Sequence, residues 1–306
     1  TMRLALAVCA MVTSGTAMAA VSNADLQAKL ESMERELKNV NAANMEFQRR
    51  QEILTTEIRK VKDAMVLPEE PKFKSQYGMG PAASRVYGVN RGLSIGGYGQ
   101  GFYTNLVEDQ GNAHSTVDLL RAIIYAGYKF SDKLVFNSEL EFEHANTGKG
   151  GVVSVEFAQI DYLNRPELNF RIGLLLIPMG FVNELHEPLF YHGNERPETE
   201  RQIIPSTWRE NGAGVFGQLG DRLTYRAYLV NSGRASTLRS GNLRGFRQDG
   251  AIALADDWSA VARVDYQATN QLTVGGSAYG GDNGQREDFR LRNNTVVRPN
   301  VPIEIY

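Results

Sequence analysis

Between Val117 and Ile177 apolar and polar residues alternate with a period of two, and short polar connections divide the alternation into separate runs. The clearest run is Leu134 to Glu143. Leu134, Phe136, Leu140 and Phe142 share one side there, and Asn137, Glu139, Glu141 and Glu143 share the other, because successive side chains of a strand project to opposite faces. A chain patterned this way builds a sheet with one apolar and one charged face. A soluble sandwich also alternates, so the pattern alone leaves open both a solvated sheet and a water-filled lumen. Runs of about ten residues, tight turns alternating with long loops, and a secretory leader together make the pattern of an outer-membrane barrel.

Composition narrows the alternatives. No stretch reaches the ~18 apolar residues that a spanning helix needs, which excludes an ordinary membrane helix and leaves a barrel open. A net charge of -2 over 306 residues supplies no field that would draw nucleic acid. Arg3, the apolar run Leu4 to Val12 and Ala17-Met18-Ala19 read as a signal peptide over residues 1–19, cleaved after Ala19. The single cysteine, Cys9, falls inside it, so the mature chain is expected to have no disulfide chemistry. A lipoprotein reading at Cys9 is weak because Val8, not a small residue, precedes it.

Residues 23–66 carry a second period. Leu30, Leu37, Asn44, Gln51, Ile58 and Met65 occupy heptad a positions, and Leu26, Met33, Val40, Phe47, Leu54 and Val61 occupy d. This predicts a coiled-coil helix in the periplasm that self-associates, with Asn44 and Gln51 as polar interruptions of the seam. An amphipathic helix packed on its own domain is the alternative. Pro68-Glu69-Glu70-Pro71 ends the pattern, and residues 67–91 read as a linker.

Residues 92–306 read as an all-β, antiparallel transmembrane barrel. Strands are expected at Leu93–Tyr103, Val117–Phe130, Leu134–Glu143, Val152–Leu163 and up to Leu176, then at Gly212–Leu219, Leu223–Asn231, Ser259–Ala268 and Leu272–Gly281. A tenth begins at Ile303. Phe170, Ile172, Leu174 and Leu176 are expected to face outward, and a phase slip near Phe157 predicts a β-bulge. With the helix periplasmic, long loops follow the odd strands and tight turns the even ones. Single-chain bacterial barrels close with an even number of complete strands, so the sequence reads as a barrel lacking its C-terminal part.

Ile177-Pro178-Met179-Gly180-Phe181, Trp208-Arg209-Glu210-Asn211-Gly212-Ala213-Gly214-Val215 and Leu223-Thr224-Tyr225-Arg226-Ala227-Tyr228-Leu229-Val230-Asn231 follow in order at strand ends. In these motifs the chain resembles the phosphate-selective porin O and P family. The resemblance implies a homotrimer of sixteen-stranded barrels whose third external loop folds inward to narrow the pore. The family's ladder of lysines is not matched here: after Pro81 only Lys129, Lys133 and Lys149 occur. Phosphate specificity is therefore not carried over.

The inferred lumen carries Arg121, Lys129, Glu139, Glu141, Glu143, Glu156, Asp161, Arg171, Arg226, Arg263 and Asp265, a mixture of signs. The long segment Pro178 to Asn211 lacks alternation and supplies Glu184, His186, Glu187, Glu195, Arg196, Arg201 and Arg209 as constriction candidates. Leu185-His186-Glu187-Pro188 is not a helical zinc motif, because Pro188 blocks the helix and His192 is too far. No GxSxG nucleophile motif occurs. The expected function is therefore a non-enzymatic porin passing small hydrophilic or ionic solutes, embedded in outer-membrane lipid, without cofactor or metal. The alternative is a non-conducting barrel that anchors or tethers the envelope through its coiled coil.

Overall fold

The computed structural model describes residues 23–64, 74–106, 114–239 and 242–306. The expected signal peptide and the expected linker before residue 74 lie outside the described residues. The chain divides into two units, Thr1–Asp63 and Ala64–Tyr306.

Helix α1 spans Asn23–Ala64, 42 residues without glycine or proline, and all but its last residue belong to the first unit. Good helix formers dominate it, and Glu46–Arg50 at 3.0 Å and Glu57–Lys60 at 2.9 Å add same-face ion pairs. Leu26, Leu30, Met33, Leu37, Val40, Phe47, Leu54, Ile58 and Val61 are all exposed, none less than 52%. The helix is present as expected, and its apolar seam is uncovered in the single chain. No described helix is long and apolar enough to cross a membrane.

The second unit is built on strands β1 (Gly92–Thr104), β2 (Thr116–Lys129), β3 (Leu134–Glu143), β4 (Val153–Arg165), β5 (Leu168–Leu176), β6 (Arg209–Leu219), β7 (Leu223–Asn231), β8 (Trp258–Gln267) and β9 (Thr273–Asp282). A short hairpin, β10 (Phe289–Arg290) and β11 (Val296–Val297), precedes β12 (Pro302–Ile305). The main sheet has ten strands in the order β1-β2-β3-β4-β5-β6-β7-β8-β9-β12, every neighbouring pair antiparallel. It is an open meander with β1 and β12 at its edges. Glu139 lies opposite Phe157 and Leu140 opposite Val155, so Glu156 is the extra residue of a bulge where the phase slip placed one.

Alternation sorts the sheet into two faces. Ile124, Tyr128, Phe142, Ile160, Tyr162, Phe170, Ile172, Leu229 and Val264 lie exposed on one. Tyr125, Asn137, Glu139, Asp161, Arg171, Phe216 and Tyr228 are buried on the other. Leu176 is a correction to the expected outward row. Pairing with β4 stops at Leu174 opposite Ala158, so Leu175 and Leu176 are paired only with β6, and both are buried.

Residues 74–91, expected as linker, are packed against the charged face. Met79, Ala83, Val86 and Tyr87 join Ile123, Tyr125, Val135, Phe157 and Leu176 in one buried cluster. The four-residue helix α2 (Arg85–Gly88) sits in this segment. Its apolar residues are too few and too irregularly spaced to register as a period, and their burial depends wholly on a surface made by distant strands.

Candidate functional site

The site is the polar face of β2–β9 together with the two segments that lie on it. Opposite charges pair on this face, one couple directly across a ladder and the others diagonally, within one strand or across an intervening strand. Asp161 and Arg171 are partners in the β4–β5 register, and Arg171 Nε donates to Asp161 Oδ1 at 2.8 Å while Nη2 donates to Oδ2 at 2.9 Å. Arg171 also lies 4.5 Å from the centre of the Phe216 ring and donates to the Tyr228 hydroxyl at 3.2 Å. Arg121 pairs with Glu141 at 3.0 Å, Arg209 with Glu156 at 2.9 Å, and Arg226 and Arg263 both pair with Asp265. Lys129 reaches the Tyr87 carbonyl at 3.4 Å, and Glu143 is half-buried at the end of β3. Opposite charges lie within ion-pair distance across this face, so it is hydrophilic with little net sign.

The connection between β5 and β6 lies on this face. Asn183 closes it: its side-chain amide donates to the carbonyls of Ile177 at 2.6 Å and Trp208 at 2.9 Å, and its oxygen accepts from the Trp208 N–H at 2.6 Å. Glu200 accepts from the N–H groups of Phe181 at 2.7 Å and Val182 at 2.5 Å. These two residues turn a long loop into a compact flap, and neither stood out in the sequence because loop clasps have no period.

From that flap Glu184 reaches Arg226 at 3.0 Å and His186 reaches Glu139 at 3.3 Å. Glu187 accepts from the N–H groups of Ala82 at 3.0 Å and Ala83 at 3.3 Å. Arg196 donates to the Tyr191 hydroxyl at 2.8 Å. Five of the seven expected constriction residues, Glu184, His186, Glu187, Arg196 and Arg209, thus lie on or against the polar face. Glu195 and Arg201 are exposed and face each other at 3.9 Å, away from it.

Burial sets the protonation of the flap groups. It pushes the Glu184 carboxyl up, with Arg226 opposing, and pushes Glu187 up against the two N–H bonds from Ala83 and Ala82. Burial alone would lower His186, but the Glu139 carboxylate and its hydrogen bond outweigh it, so the imidazole is held above its ordinary range.

Tyr87 is a third residue that did not stand out in the sequence. Its hydroxyl donates to Asp161 Oδ2 at 2.6 Å, from the segment before β1. In the same segment Ala83 O accepts from Asn137 Nδ2 at 2.8 Å. Gly127 makes room for Val86, since a Cβ there would lie 2.9 Å from that of Val86. A cavity of about 760 Å³ remains between Tyr77 and Gly78 of this segment, Phe181, Glu184 and Leu185 of the flap, and Arg226, Arg263 and Asp265 of the sheet.

No family model matches the chain. An uncharacterized protein of Aquifex aeolicus (strain VF5) is 45% identical over 227 residues, 72% of this chain and 51% of the relative. The chain therefore spans about half the length of the curated relative it matches. Among solved structures, the chain is similar to OmpTdeltaL8, a loop L8 deletion mutant of OmpT, an outer membrane protein of Vibrio cholerae. The identity is 13%, the TM-score 0.25, and the match covers 62% of this chain and 70% of that one. So loose a superposition does not bear on the architecture, which rests on the strand ladder.

Proposed function

We propose that this chain is the membrane-inserted part of an outer-membrane solute channel in which the β5–β6 flap narrows the path, joined to a periplasmic helix through which copies associate. One observation carries the reading: the sheet exposes an apolar face across its strands while its opposite face is charged, and the flap lies on the charged face. Exposed Ile124, Phe142, Val155, Ile160, Ile172, Leu229 and Val264 make a band too large for a monomeric soluble surface, where patches rarely exceed a few hundred Å². Tyr128, Phe130, Tyr162, Phe170 and Tyr266 line its edge beside the tight turns, as an interfacial aromatic girdle would. The paired charges of the other face suit a water-filled path for small hydrophilic solutes of either sign. Resemblance to the phosphate-selective porins agrees with the inward flap and adds a trimer to the proposal.

Planar-bilayer recording on the full-length protein under a salt gradient tests this. Discrete current steps whose reversal potential shifts on Glu184→Gln or Arg226→Gln are expected, and well-inserted protein that gives no steps would remove the channel reading.

The coverage of the polar face by residues 74–91 favours a second reading, in which the barrel is an anchor and α1 a tether. Deleting residues 23–64 separates the two. A channel keeps its conductance per barrel and loses oligomer stability, whereas a tether gives an envelope-integrity defect with conductance unchanged.

A further inference from the structure

We infer that residues 74–90 are a releasable plug, docked on the polar wall of the sheet by the Glu187 carboxylate and the Tyr87 hydroxyl, and that undocking it widens the path beneath. The inference rests on the channel reading above and concerns the regulation of that same path.

Three features distinguish this segment from a permanent part of the core. Among the described residues its backbone-to-backbone bonds stay within the segment: Met79 donates to Gln76 at 2.9 Å, Ser84 to Gly80 at 2.9 Å and Tyr87 to Ser84 at 3.1 Å. Its polar ties to the rest of the unit run through side chains. Asn137 holds Ala83 O, Lys129 reaches Tyr87 O, Tyr87 holds Asp161, and Glu187 holds the Ala82 and Ala83 N–H groups. A segment tied in this way detaches without breaking any strand ladder.

The wall beneath is also the wrong chemistry for permanent burial. Asn137, Glu139, Gln159, Asp161 and Arg171 are buried under the segment and the flap. Sequestering such a set is costly compared with an apolar core of the same shape, yet it is what a water-lined surface requires.

The central ion pair of the wall moreover needs no partner from the plug. Arg171 and Asp161 keep both of their mutual bonds if Tyr87 leaves, and Asn137 and Glu187 gain water. Release therefore strands no buried charge on the wall. The apolar contacts of Met79, Ala83 and Val86 oppose release and hold the docked state at rest.

The latch lies between two chain segments about a hundred residues apart. Glu187 belongs to the flap and Ala82 to the plug, so one carboxylate reports the position of each to the other. A Cβ at Gly80 would fall 2.1 Å from Glu187 Oε1, which is why the plug backbone can approach the carboxylate so closely.

The test uses the full-length protein in a Cys9→Ser background with Val86→Cys as reporter. Labelling by a water-soluble maleimide is read in proteoliposomes alongside bilayer conductance. Glu187→Ala combined with Tyr87→Phe is expected to raise the labelling rate about tenfold, because charge-assisted bonds to one partner are removed, and to raise mean conductance. Gly127→Ala, whose Cβ would overlap Val86, is expected to raise both readouts with the latch intact. Labelling that ignores the latch substitutions and Gly127→Ala, or a conductance unchanged by them in protein that passes current, would overturn the plug. Labelling that rises while no variant passes current would establish a releasable segment and remove the channel reading instead.

Discussion

Arg171 and Asp161 face each other across the β4–β5 ladder and pair at 2.8 Å with side chains 2% and 1% exposed. The pair stands at the centre of the polar face, and Phe216, Tyr228 and Tyr87 close around it. Arg171→Met leaves Asp161 as an uncompensated buried charge, at a cost of about 3–5 kcal/mol. Arg171→Met with Asp161→Leu is expected to cost much less than the sum of the single substitutions. Denaturant unfolding in detergent micelles measures this, and additive single effects would show that the two side chains are not energetically coupled.

Asn183 joins the two ends of the flap through three hydrogen bonds. Asn183→Ala leaves the Ile177 and Trp208 carbonyls and the Trp208 N–H without this partner, a loss of about 1–3 kcal/mol felt locally. Limited proteolysis within residues 184–206 should accelerate while the strands stay protected. Unchanged cleavage would mean that Glu200 alone holds the flap.

Docking of the flap should weaken as pH rises. His186 Nδ1 lies 2.8 Å from the Asn183 carbonyl and Nε2 faces Glu139, so only the doubly protonated ring donates to both. Burial lowers its pKa, Glu139 more than reverses this, and Arg196 and Glu156 act as smaller opposing influences. The folded value is raised above the ordinary 6.5. The stabilisation is therefore complete below that value and is lost as pH climbs through the folded one. Glu184 and Glu187, also raised by burial, change in the same sense. Protease protection of residues 184–206, normalised to an unfolded control, should fall as pH rises above the ordinary histidine range. The fall should shrink in His186→Asn, and a slope unaltered by that substitution would assign the effect to the two carboxylates.

Ile160 lies on the apolar face between Phe136 and Ile172. If this face meets lipid, Ile160→Arg should destabilise folding into bilayers by about 2–4 kcal/mol, a cost set by depth in the hydrocarbon. The same substitution at Val117, near the end of the strand, should cost less. Equal small effects at both positions would indicate a water-facing sheet.

The sequence by itself determined the strands of the main sheet, the helix and the division of the sheet into two faces, but not the short β10–β11 hairpin. Leu134–Glu143 and Leu223–Asn231 coincide with β3 and β7, and the bulge at Glu156–Phe157 was legible as a break in alternation. These properties are local: a period of two, or a heptad, is written in neighbouring residues and needs no distant partner. The expected constriction segment likewise stood out by its lack of period. Tertiary structure alone decided which charges meet, since Arg226 takes Glu184 from the flap and Asp265 from β8. It alone turned Leu176 inward and brought Tyr87 to Asp161. It also placed residues 74–91 on the charged wall, because a segment that sends four irregularly spaced apolar or aromatic residues into the buried cluster acquires its position only from the surface that receives it.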